Sequence, residues 1–172
     1  NFTIQDSAQF IAQGEVLIGK TGNNHVININ GGKFSAQGIK TSVDASGENT
    51  LNLSGGVLAL GDIGLTTYNA SRKMTINVSN MPIICAKSAQ LPITHPINLN
   101  EDATLSFTKE EGLAMVDVPL TGGMTGNGAI NVASGVNLNL YTSRPKLGTV
   151  SGKILLTATP KEMGNGLIKF AI

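Results

Sequence analysis

The segment Val26-Ile27-Asn28-Ile29-Asn30-Gly31-Gly32-Lys33-Phe34 recurs 24 residues later as Thr50-Leu51-Asn52-Leu53-Ser54-Gly55-Gly56-Val57-Leu58. Apolar, amide and glycine positions match together. Thr75-Ile76-Asn77-Val78-Ser79-Asn80-Met81 follows after a further 25 residues, keeping the apolar and Asn positions and losing the glycine pair. Ala12-Gln13-Gly14 returns in the same way as Ala36-Gln37-Gly38. A period of this length points to an array of stacked units. One such unit cannot bury its apolar row alone, so its neighbours must cover it.

Within each unit the period is two. Ile27 and Ile29 alternate with Asn28 and Asn30, and Met74, Ile76 and Val78 with Thr75, Asn77 and Ser79. Val136, Leu138 and Leu140 alternate with Asn137, Asn139 and Tyr141. This is the pattern of strands with one wet face. Gly-rich and Asn-rich turns separate them. The helical period is absent over any useful length; Thr108 to Met115 supports one short turn at most, interrupted by Gly112.

The predicted fold is therefore all-β, a solenoid with stacked coils of about 24 residues. Like residues then meet every ~4.8 Å along the axis. Asn28, Asn52 and Asn77 form an outward ladder, and Ile27, Leu51 and Ile76 an inner one. The inner row extends as Ile4, Ile27, Leu51, Ile76, Leu105, Ile130 and Ile154. A second row runs Phe10, Phe34, Leu58 and Ile83, continuing at Leu113 and Val136. The step of 29 from Ile76 to Leu105 predicts an inserted loop, where Pro82, Pro92 and Pro96 fall. Residues 1–102 read as β-helix coils, and 103–172 as further coils or a β-rich cap. In the latter part, Gly122 to Leu140 reads as hairpins turning around Ser134-Gly135, an antiparallel region over the end of the stack.

The 172 residues carry 12 Lys plus Arg against 11 Asp plus Glu, and charged residues are 13% of the chain, about half the usual share. That argues against nucleic-acid binding through phosphate neutralisation. No apolar run approaches the length of a membrane-spanning helix. The opening at Asn1, without Met and already inside a strand, reads as a mature fragment or an excised region of a longer parent chain.

The glycine-pair segment Thr50 to Leu58 resembles the repeats of bacterial autotransporter passengers and related surface proteins, similar in shape to pectin-lyase-like proteins and phage tailspikes. The likeness covers roughly residues 1 to 80. It implies a right-handed parallel β-helix on a secreted or surface protein, with functions from adhesion to polysaccharide cleavage, among which fold likeness does not choose. The enzymatic members bring clustered aspartates for calcium and a basic catalytic residue. Here Asp6, Asp44, Asp62, Asp102 and Asp117 are widely separated, and Arg72 and Arg144 have no neighbouring acid in sequence. No catalytic, cofactor-binding or metal-binding residue is carried over.

Individual residues give the same answer. Cys85, in the apolar run Met81 to Cys85, reads as a buried thiol acting as a small hydrophobe. His25 and His95 read as turn decorations. Glu48 stands 24 residues before Arg72, the spacing of a stacked surface ion pair. Glu101-Asp102 and Glu110-Glu111 read as solvated pairs, and Asn98, Asn100, Glu101 and Asp102 as a polar loop rather than a calcium site. Tyr68 and Tyr141, without any Trp, make a poor platform for sugar rings. Asn1, Asn52, Asn69, Asn77 and Asn139 each open an Asn-x-Ser/Thr triplet, which for Asn52 and Asn77 is a by-product of the repeat.

The expected function is a non-catalytic structural or adhesive rod, extracellular or on a cell surface, without cofactor, whose partner is a host or cell-surface glycan or protein. The alternatives are a carbohydrate-active enzyme fragment with acids converging within 60–72 or 98–117, and a trimeric tailspike segment. The last predicts an apolar outward stripe at Leu58, Leu60 and Ile63.

Overall fold

The structure, a computed structural model, describes residues 1–20, 24–44, 47–71, 74–141 and 146–156. These form a parallel β-solenoid of about six turns with roughly 24-residue spacing. Each turn, or rung, crosses up to three faces. The first rung has β1 (Phe2–Ile4), β2 (Gln9–Ile11) and β3 (Glu15–Ile18). The second has β4 (Val26–Ile29) and the long β5 (Lys33–Thr41), the third β6 (Asn49–Leu53) and the long β7 (Val57–Thr67). The fourth has β8 (Met74–Val78) and β9 (Ile83–Ala86); the fifth β10 (Ile97–Leu99), β11 (Thr104–Lys109) and β12 (Val116–Leu120). The sixth has β13 (Met124–Gly126), β14 (Ala129–Val132) and β15 (Val136–Leu140). A partial seventh has β16 (Lys146–Val150) and β17 (Lys153–Leu156).

The first face is the sheet β1-β4-β6-β8-β10-β13. The second runs β2-β5-β7-β9-β11-β14-β16. The third begins with β3 against the end of β5, continues through the end of β7 and single bridges at Ile93, and finishes as β12-β15-β17. Every strand pairing is parallel.

Alternation turns apolar columns from all three faces into the bore, and Ile4, Ile29, Leu53, Val78 and Leu99 make one of them on the first face. The first face contributes Phe2, Ile27, Leu51, Ile76, Ile97 and Met124 in register. The second contributes Phe10, Phe34, Leu58, Ile84, Phe107 and Val132. The third contributes Val16, Ile39, Leu65, Ile93, Leu120 and Leu140. Most of these are fully buried, and each fully buried aliphatic or aromatic side chain contributes about 1.5–3 kcal/mol.

These columns correct the predicted rows. Ile4 pairs with Ile29, not Ile27. Leu105 and Ile130 pair with each other on the second face, and Ile154 pairs with Leu138 on the third. Ile84 rather than Ile83 faces the bore, and Val136 pairs with Val116. Ile76 pairs with Ile97, so the fourth rung is short and contains no insertion. The carbonyls of Pro82, Pro92 and Pro96 accept bonds from Ser106, Leu65 and Ile76 of adjacent rungs. The stretch from Gly122 to Leu140 is the sixth rung, not a set of hairpins: the bend at Ser134-Gly135 leads from the second face to the third. Leu58 and Leu60 point inward and are buried, and Ile63 is half-buried, so they form no outward stripe. Between Glu110 and Leu113 a single hydrogen-bonded turn replaces any helix.

The glycine pairs sit at the bend from the first face to the second. Gly32 and Gly56 have φ of 61° and 68°. A Cβ on Gly56 would lie 2.5 Å from the Gly31 carbonyl carbon of the rung below. Where the pair is missing, the bend is solved differently. The first and fourth rungs insert one more residue between the faces and place the positive φ on Asp6 (56°) and Asn80 (53°), types that tolerate the left-handed region.

Gly56→Ala is expected to destabilise the protein by at least about 1–2 kcal/mol from backbone strain alone, with the contact against Gly31 added to it. A Cβ on Gly14 would meet nothing within 4 Å, and its φ is not positive, so Gly14→Ala is expected to stay within about 0.5 kcal/mol of the parent. Urea unfolding of the two variants checks the contrast.

Candidate functional site

The outward side of the first face is built by the alternation that fills the bore. Its central column is Thr3, Asn28, Asn52, Asn77, Asn98 and Thr125. The amides interlock. Asn52 Nδ2 donates to Asn28 Oδ1 at 2.8 Å, Asn77 Nδ2 to Asn52 Oδ1 at 3.0 Å, and Asn98 Nδ2 to Asn77 Oδ1 at 3.5 Å. Asn28 Nδ2 donates to Thr3 Oγ1 at 3.2 Å, and the Thr125 hydroxyl donates to Asn98 Oδ1. One flanking column is Val26, Thr50, Thr75 and Pro96; the other is Asn30, Ser54, Ser79 and Asn100. Ser54 Oγ donates to Asn30 Oδ1 at 2.9 Å. None of these residues carries charge. At about 4.8 Å between rungs, the central column is about 24 Å long, and neighbouring columns stand about 6.6 Å apart. The acids Asp6, Glu48, Glu101 and Asp102 lie in the bends at its two sides.

Charge is concentrated elsewhere. On the third face the Tyr68 hydroxyl donates to Glu15 Oε1 at 2.7 Å, Lys40 Nζ lies 3.7 Å from Glu15 Oε2, and the same ammonium sits 3.9 Å from the Tyr68 ring centroid. The bond to Glu15, then desolvation, then the Glu15 charge hold the Tyr68 phenol above its ordinary value of 10.0. Sequence reading missed this group, because Tyr68 lies 53 residues, two rungs, from Glu15. Further along the third face Asp117 accepts from Gln90 Nε2 at 3.2 Å and from Asn137 Nδ2 at 2.8 Å.

The remaining acids do not gather. Asp62 is exposed in the bulge of β7. Glu101-Asp102 and Glu110-Glu111 lie at opposite ends of the six-residue β11, about 20 Å apart, where a glycosidase pair needs about 5–9.5 Å. Among the described residues no three His, Cys, Asp or Glu are placed to hold a metal ion. Asn98 belongs to the amide ladder. Arg72 and Arg144 lie outside the described residues, and with Arg72 the ion pair expected for Glu48, whose N–H donates to Asn24 Oδ1 at 2.9 Å. Tyr141 is half-buried just after β15.

Two expectations are corrected. Cys85 alternates with the buried Ile84 and Ala86, so it is half-buried on the outer side of β9 rather than in the core. His95 is no turn decoration: it is fully buried. Its Nδ1 accepts from the Met74 N–H at 3.1 Å, and its Nε2 donates to the Thr66 carbonyl at 2.7 Å. An amide can only donate and a carbonyl only accept, so the ring is the neutral Nε2–H tautomer. It ties the third rung to the start of the fourth. His25 is half-buried before β4, with its backbone N–H on Asn49 Oδ1 at 3.3 Å.

Compared with known protein families, curated sequences and solved structures, the chain matches none.

In a Tyr141→Phe background, absorbance titration at alkaline pH is expected to show Tyr68 ionising above 10, and Glu15→Gln to bring it down. Since the folded value is raised, the linked stability is present below the ordinary phenol pKa and lost as pH rises through the raised one. His95→Phe is expected to leave the Met74 N–H and Thr66 carbonyl without the ring, lowering stability in urea by about 1–3 kcal/mol per stranded group.

Proposed function

We propose that this chain is a non-catalytic structural or adhesive β-helical rod of a secreted or cell-surface protein, engaging its partner along the uncharged first face. The observation that carries the reading is the run of amides and hydroxyls through six rungs without an ionisable group. Such a surface offers hydrogen bonds at a fixed repeat and no field to attract or repel ions. Its complement is a long neutral molecule rich in hydroxyls or amides, and a neutral polysaccharide has that chemistry. Most amide groups already have one partner in the ladder, so the side chains are held in place before contact, which reduces the ordering cost of binding. The likeness of residues 1 to 80 to autotransporter passengers supports the same placement on a surface. The spread of the acids over bends and bulges is what a rod without a hydrolytic centre would have.

The test is a binding and cleavage assay on neutral and acidic polysaccharides. Binding to a neutral chain is expected to change little between low and high salt. It is expected to fall about tenfold or more in an Asn52→Asp/Asn77→Asp double variant, which places like charges on adjacent rungs. No new reducing ends or unsaturated products are expected. Release of oligosaccharides that stops on replacing Glu101, Asp102, Glu110 or Glu111 would install the enzyme reading instead.

A further inference from the structure

We infer that the uncharged first face reads the direction of its ligand: it takes a straight, ribbon-like neutral polysaccharide of equatorially linked sugars in only one of that chain's two orientations. This rests on the proposed function and goes beyond it in naming the shape and the polarity that the face selects. Three features of the face point there.

The first is that its side-chain hydrogen bonds run one way. The Thr125 hydroxyl donates to Asn98 Oδ1, Asn98 Nδ2 to Asn77 Oδ1 at 3.5 Å, Asn77 Nδ2 to Asn52 Oδ1 at 3.0 Å, and Asn52 Nδ2 to Asn28 Oδ1 at 2.8 Å. Asn28 Nδ2 donates in turn to Thr3 Oγ1 at 3.2 Å. All five links point from the sixth rung toward the first. Beside them, Ser54 Oγ donates to Asn30 Oδ1 at 2.9 Å and Asn80 Nδ2 to the Ser54 carbonyl at 3.1 Å, in the same direction.

The second is what the ladder leaves over. A primary amide has two N–H donors and two acceptor lone pairs. The ladder uses one of each on Asn52 and Asn77, and both side chains are half-buried, so their outer side meets solvent. Linked hydrogen bonds reinforce one another, and a single direction of donation sets these amides in one orientation. The second N–H and the second lone pair then take the same relative positions on successive rungs, about 4.8 Å apart. Turning the face end for end exchanges donor and acceptor along the axis. A ligand with unlike ends therefore meets this pattern in one orientation and misses it in the other. A sugar chain is such a ligand, because every residue carries its ring oxygen and hydroxyls in the same order from one end to the other.

The third is straightness. The six strands of the first face pair without a register shift, whereas shifts interrupt β5 against β7 and β14 against β16. The central column is therefore a line about 24 Å long. A sugar chain that coils leaves such a line after a few residues, and one of equatorial linkages stays on it. A row of side chains already held in place favours a ligand that is already extended, because neither has to be ordered on contact.

The probes are cellohexaose and maltohexaose, neutral glucose chains of equal length with straight and coiled shapes, added to the intact chain. Cellohexaose is expected to bind about tenfold or more tighter, since only it matches the line without being straightened. A nitroxide on its reducing end is expected to broaden backbone amide signals at one end of the column only, around Thr3 or around Thr125. Moving the nitroxide to the other end of the sugar is expected to move the broadening to the opposite end of the column. Hydrogen exchange at the second Nδ2–H of Asn52 and Asn77 is expected to slow on binding. The inference is overturned if one label broadens both ends equally, or if maltohexaose binds as tightly. If another neutral polysaccharide binds the first face and cellohexaose does not, the inference falls and the proposed function stands. If no neutral polysaccharide binds, both fall.

Discussion

The stacking of one rung on the next is the interaction on which the rest of this molecule depends. Every strand finds its backbone partners in the rungs before and after it, never beside it in sequence. The hydrogen bonds, the bore and the outer columns therefore share a single register. A strand displaced by one residue would turn its amides into the bore and its leucines to water. The apolar columns on the three faces resist that displacement together, because all three faces of a rung move as one piece of chain.

The bends are where this constraint is tightest. Gly31-Gly32 and Gly55-Gly56 lie directly over one another, and neither leaves room for a side chain between rungs. Asp6 and Asn80 show that the constraint is on conformation and clearance rather than on glycine itself: one extra residue relocates the left-handed position and removes the need for the pair. His95 serves a similar purpose at another corner. It supplies both a donor and an acceptor to backbone groups that a regular strand would have satisfied, in the stretch where Pro92 and Pro96 interrupt the ladder.

The repeat at Ile27 and Leu51 and the Asn ladder through Asn77 were legible in the sequence, because there identical chemistry recurs at a nearly constant interval. The later rungs were not. Shifting a strand by two residues preserves its alternation, so Ile4 read as the partner of Ile27 where Phe2 is. All three faces alternate alike, so Leu105, a second-face residue, read as the successor of Ile76. The true successor, Ile97, comes early because the fourth rung is short. That single length change also produced the apparent insertion, while the sixth rung read as hairpins because its one glycine pair, Gly122-Gly123, follows Thr121 rather than an Asn/Ser ladder strand. The Glu15–Lys40–Tyr68 group was hidden for a related reason: a bulge in β7, between Leu60 and Gly64, shifts the register on the third face relative to the second. The extent of the uncharged first face required knowing that Asn98 and Thr125 continue the column begun by Asn28.

A solenoid separates what fills its bore from what it shows along its sides. The sides are set by whatever the outward positions carry, and on the first face that is a column of mutually satisfied amides, suited to repeated weak contacts along a length. A side contact of this kind discriminates by pattern over many rungs and tolerates the loss of one.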